Sequence, residues 1–155
     1  MANISTFGAQ RFFRQVRGLA AGAACLAAAS ALHAQTMLVS EAEASRPNAP
    51  ELSTRGITRG PGIKLLGAPE VSAKSFSLKF EFEPRGGAHI DPKSVRLEYM
   101  KQPLIDLTDR VKAGIHDRVL EISQFAVPPG SHPLRVRVAD SEGREAVHLV
   151  TLQAK

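Results

Sequence analysis

The 155-residue sequence has one cysteine, Cys25, one tyrosine, Tyr99, and no tryptophan. A single cysteine excludes an internal disulfide, so a folded chain must be held by a buried core instead of crosslinks. Aromatic residues make up 5% of the sequence, and Tyr99 falls on an expected core face. Both facts argue against a sugar-stacking platform, which depends on exposed rings. Signatures of catalysis are also missing. There is no Gly-x-Ser-x-Gly elbow, phosphate loop or His-Glu-x-x-His, which are the local arrangements that activate a nucleophile, cradle a phosphate or hold zinc. No His-x-x-x-His or Cys-x-x-Cys spacing supports a metal either. His89 with Asp91 and His116 with Asp117 read as exposed loop pairs. Asp106 with Asp109 and Asp140 with Glu142 are too sparse to form an oxygen cage for calcium. The chain is expected to be non-enzymatic, with no cofactor and no metal.

What is present begins at the N-terminus. Arg11, Arg14 and Arg17 precede any acidic residue and lead into the apolar run "GLAAGAACLAAASALHA", Gly18 to Ala34. A basic segment, a short Ala/Leu-rich segment and a small residue at its end are the parts of a secretory signal. Residues 1–34 are therefore expected to be a signal peptide, cut between Ala34 and Gln35, with the product periplasmic or secreted. An uncleaved anchor helix is disfavoured, because a span needs about 20 apolar residues and this run carries Ser30 and His33. The spaced arginines do not make a twin-arginine signal, and lipidation at Cys25 remains an alternative to cleavage. After cleavage no membrane span is expected. The formal charge of +5 owes three of its positives to the signal, leaving about +2, which gives no footprint for nucleic acid.

Residues 35–61 read as a flexible linker. Their small polar residues and prolines follow no sustained period and bury too little to offset ordering entropy; part of the stretch is expected to add a short edge strand. From Gly62 the pattern changes. "SFSLKFEF" alternates Phe76, Leu78, Phe80 and Phe82 with polar residues, the period-two mark of a half-buried strand. "SVRLEYM", "RVLEIS", "PLRVRVA" and "AVHLVTLQ" read as further strands, as does "GIKLL". "LIDLTDRV" reads as an irregular strand, with one or two helical turns as the competitor, since Leu104, Leu107 and Val111 also sit at helical spacing. About seven strands with turn signals between them predict an all-β sandwich over 62–155.

"DPKSVRLEYM" followed by "VPPGSHPLRVRVADSEGRE" resembles bacterial immunoglobulin-like domains, in which an Asp-Pro-x-Ser-Val turn, a proline–glycine crossing and a Val-x-Val-x-Asp-x-x-Gly hairpin recur. The resemblance spans Gly62 to Gln153. It implies an immunoglobulin-like antiparallel β-sandwich without the cysteine pair and core tryptophan of antibody domains, and it implies no activity. Gly130 is expected to supply backbone freedom at the crossing. Gly143 is expected at positive φ in the final hairpin.

In that topology Arg96, Arg135 and Arg137 would share one outer face. They form a candidate basic patch for an acidic partner, polymer or head group, or else a solvated face neutralised by Glu98 and Glu145. The expected function is an exported non-catalytic module that binds an unknown envelope protein or surface polymer through loops or a strand edge. A carbohydrate- or ligand-binding accessory domain is the alternative, and an unrecognised metal-dependent hydrolase is a third reading. No nucleic-acid partner is expected.

Overall fold

The structure, a computed structural model, describes residues 36–50 and 59–155. The expected signal peptide, with Cys25, Ala34 and Gln35, lies outside the described residues. The fold is an all-β sandwich of two sheets. The first holds β1 (Thr36–Met37), β8 (Val119–Ala126), β4 (Phe76–Glu83) and β2 (Gly62–Leu66) in that order, with β7 (Ile115–His116) also on β8. The second is ordered β3 (Glu70–Val71), β10 (Glu145–Ala154), β9 (Gly130–Ala139), β5 (Arg96–Tyr99) and β6 (Ile105–Asp106). All pairings are antiparallel except two short parallel edges, β1 on β8 and β3 on β10.

Alternation decides which side chains meet between the sheets. Phe76, Leu78, Phe80 and Phe82 of β4 are all buried, while Ser77 and Lys79 are exposed. Facing them, β9 buries His132, Leu134, Val136 and Val138. β8 departs from strict alternation at Gln124, whose φ of +61° marks a bulge where pairing with β4 slips. The extra residue shifts the phase, so that Phe125 stands opposite the buried Phe76 and packs against the core.

Residues 36–50 differ from the expectation of a linker. Within them the expected edge strand is present as β1, but the chain then dives inward, and Leu38 and Val39 are 0% exposed. Helix α1 (Glu41–Ala44) follows, capped by Ser40 in a reciprocal capping box with Glu43. Farther along, the Ala49 amide donates to the Met100 carbonyl and the Gln102 amide to the Pro47 carbonyl, both at 2.9 Å. The stretch is a strap across the sandwich. Two buried aliphatic side chains and a set of directed hydrogen bonds offset the entropy that its polar composition leaves unopposed.

The segment read as an irregular strand begins as one and then turns helical. After the two-residue β6 come α2 (Thr108–Val111) and a 3₁₀ turn at Lys112–Gly114. The helical spacing prevails because Leu107 and Val111, four residues apart, are 0% and 2% exposed and plug the end of the core. Leu104, the first member of the apolar series, remains outside at 47% exposure.

Candidate functional site

The outer face of the second sheet carries the three candidate arginines. Arg96 pairs directly across the ladder with Arg137, and Arg135 with Glu98. Arg135 Nε lies 2.6 Å from Glu98 Oε2, and Arg137 Nη2 lies 3.0 Å from Glu145 Oε2. Two of the three cations are therefore neutralised by neighbouring carboxylates. Arg96 has no carboxylate within ion-pair distance among the described residues; its Nη1 donates to the Lys93 and Val95 carbonyls at 2.7 and 2.9 Å. The face is a mixed-charge surface with one unneutralised arginine.

Arg96 borders an open cleft of about 470 Å³, with Lys93 and Lys112 as further cations, Asp106 and Asp109 as anions, and Val95 and Ile115 among its apolar lining. The Asp106 carboxylate caps the Thr108 amide at 2.8 Å. Hydrogen bonding to Thr108 holds its pKa below the ordinary value against the opposing effect of burial, with help from the Arg96 charge. The alternation of Arg96 makes it a candidate, but its cleft neighbours come from the turn before β5, from β6, from α2 with the 3₁₀ turn after it, and from β7, which a strand pattern does not bring together.

A second feature is the free side of β10. On the other side, β9 pairs with it along its whole length. On the free side β3 covers only Gln153 and Ala154, and the Gln153 amide reaches the Pro69 carbonyl at 2.9 Å. Gly60 packs against the other end of this edge, so closely that a Cβ there would overlap the Glu145 carbonyl. Between these two contacts no strand among the described residues pairs with Ala146–Leu152 on this side. Gln153 and Lys155 direct their amides toward β3, so the two-residue period aims the amides of Val147, Leu149 and Thr151 the same way. The side chains of these residues are exposed too, Val147 at 50% and Leu149 at 45%.

The remaining candidates are structural in placement. Gly130 opens β9 at φ +131°, and Gly143 lies in the β9–β10 hairpin at φ +76°. The buried Asp140 carboxylate accepts from the Glu142 and Arg144 amides and from Arg144 Nε. Burial pushes its pKa up, but these donors together hold it below the ordinary value. His89 meets this hairpin, its amide donating to Ser141 Oγ, while His116 lies in β7. No group of three or more His, Cys, Asp or Glu among the described residues is placed to hold a metal ion.

One buried polar pair leaves no mark in the strand pattern. Tyr99 Oη and His132 Nδ1 are 2.9 Å apart, and His132 Nε2 is 2.6 Å from the Pro128 carbonyl. A carbonyl only accepts, so Nε2 carries the proton and Nδ1 accepts from the tyrosine. Burial pushes the His132 pKa down, with the Lys101 charge adding to it and the Pro128 bond opposing. Burial raises the Tyr99 pKa to about 12, helped by Glu43. Lys101 sits over the Tyr99 ring, 5.4 Å from its centroid.

No protein family matches the sequence, and no curated protein matches it. Among solved structures, CopC from Methylosinus trichosporium OB3b is similar over 61% of this chain and 94% of its own, with 17% identity and a TM-score of 0.40. A likeness at that level assigns no activity to this chain.

Proposed function

We propose that this chain is an exported, non-catalytic, immunoglobulin-like binding module of the cell envelope that takes a partner strand along β10. The observation that carries the reading is the Ala146–Leu152 edge, where outward amides coincide with exposed Val147 and Leu149. Strand addition draws affinity from main-chain hydrogen bonds and needs few distinctive side chains. The basic and apolar N-terminal segments support export, and no helix among the described residues is long and apolar enough to cross a membrane.

The test is site-specific photo-crosslinking in cells from Val147 and Leu149, with Lys79 on the opposite sheet as control. Discrete adducts from the two β10 positions and none from Lys79 are expected. Absence of adducts from both β10 positions overturns the reading. The cleft at Arg96 favours a second reading, an accessory domain for an anionic ligand. Retention on immobilised anionic glycans that Arg96→Ala abolishes would support it.

A further inference from the structure

We infer that the strand taken by β10 is β10 of a second copy of this chain, antiparallel, with the two-fold axis at Leu149. The inference rests on the strand-addition reading of this edge and names its occupant. Two contacts fence the edge, Gly60 at the Glu145 carbonyl and β3 at Gln153. The midpoint of Ala146–Leu152 is Leu149. An axis there sets Leu149 opposite Leu149 of the second copy and Val147 opposite Thr151 of the second copy. All of these residues aim their amides outward, as a hydrogen-bonded antiparallel pair requires. Moving the pairing by one residue would set an outward-facing amide against an inward-facing one. Axes at His148 or Val150 keep the phase but run the pairing into Glu145 or Gln153, where the edge is already covered.

Charge permits two identical edges to meet. The stretch Ala146–Leu152 contains no Lys, Arg, Asp or Glu, and it lacks the lysine, proline or bulge that usually blunts an exposed edge. The cations directly beside Val147 and Leu149 on β9, Arg137 and Arg135, are paired with Glu145 and Glu98, so these positions bring no unneutralised like charges together. Each copy contributes exposed Val147 and Leu149 side chains to the seam. So short an interface buries less than the roughly 1,200–2,000 Å² of a standard stable complex, so the association is weak and concentration-dependent.

The full chain carrying Cys25→Ser and Leu149→Cys tests the axis. A hydrogen-bonded antiparallel pair has Cα atoms about 5.5 Å apart, within the roughly 4.4–6.8 Å that a disulfide spans. Mild oxidation should give a covalent dimer from Leu149→Cys and none from Lys79→Cys. Sedimentation of the cysteine-free chain should show a concentration-dependent dimer, and Leu149→Lys should remove it without moving the thermal midpoint. A Leu149→Cys chain that stays monomeric on oxidation overturns self-pairing, as do protected Val147, Leu149 and Thr151 amides in a dilute monomer. Photo-adducts to other proteins without self-adducts overturn the inference and leave strand addition standing. No adducts at all overturn both.

Discussion

Arg110 and Glu43, 67 residues apart, meet fork to fork, with Nη2 2.6 Å from Oε1 and Nη1 2.9 Å from Oε2. The same Nη1 also donates to the Leu38 carbonyl at 2.6 Å. One guanidinium from α2 therefore ties down both the helix of the strap and the backbone beside its buried Leu38. Bidentate geometry makes such a pair stronger than an ordinary surface bridge, although solvent still screens it.

Arg110→Ala is expected to cost about 1 kcal/mol at neutral pH and to speed hydrogen exchange in Thr36–Ala49 more than elsewhere. The Arg110 hydrogen bond lowers the Glu43 pKa from 4.5 to about 2, with burial opposing and Ser40 assisting. A depressed carboxylate pKa stabilises the fold above the unfolded value and loses that contribution as pH falls through the folded one. The stability gap between wild type and Glu43→Gln should therefore be full above pH 4.5 and shrink toward pH 2. Urea melts across that range measure it; a gap unchanged down to pH 2 would show that the Arg110–Glu43 clamp contributes nothing.

His132 gives the second pH dependence. Its folded pKa is below the ordinary value of 6.5, so the unfolded chain binds the proton more readily. Its contribution is present above pH 6.5 and declines as pH falls below it toward the folded value. His132→Gln should be less stable than wild type at pH 7.5 but flatter between pH 7 and pH 5. Parallel slopes for the two proteins would show that another group titrates there.

Adjacent residues on opposite faces of β4 should differ sharply in what they contribute to stability. Phe80, 0% exposed, should cost about 3–5 kcal/mol on replacement by alanine. Lys79→Ala should stay within about 0.5 kcal/mol. Denaturant midpoints compare them directly, and similar losses would contradict the assigned faces.

Gly143 separates backbone strain from steric fit. At φ +76° nothing lies within 4 Å of where a Cβ would stand, so the cost of Gly143→Val comes from the backbone and should be about 1–3 kcal/mol. Gly143→Asn should cost less, because asparagine tolerates the left-handed region. Glu142→Ala next to it should move the melt little, since that side chain is 55% exposed and pairs only with Arg144. If Gly143→Val melts at the wild-type midpoint, the hairpin is not held in this conformation.

Period-two alternation is legible in β4 and β9 because each buries one face against the opposite sheet, and their sequences record it residue by residue. The strap is far less legible. Leu38 and Val39 are adjacent and follow no period, and only the Ser40-x-x-Glu43 capping box marks a helix there. At α2, Leu107 and Val111 fit both a ragged strand and a helix, and the position at the end of the core decides between them. The outer face is half legible, since Glu145 stands eight residues from Arg137, whereas Glu98 is 37 residues from Arg135 and meets it only through the β5–β9 ladder. The β10 edge is not legible, because alternation reports which face is buried and says nothing about strand order. Its one trace is the apolar pair Val147 and Leu149 on the face where β9 places Arg137 and Arg135.

The strap also bears on the order in which the domain is completed. A chain made from its N-terminus presents the strap early, yet its partners come later: the end of β8 and Arg110 hold the backbone at Leu38, and Met100–Gln102 hold Pro47–Ala49. The strap, made early, is thus among the last parts to settle, and loop closure over so many residues is slow. Until then the far end of β8 is an open edge beside two uncovered aliphatic side chains. That interval is when the molecule is most exposed to proteolysis and mispairing.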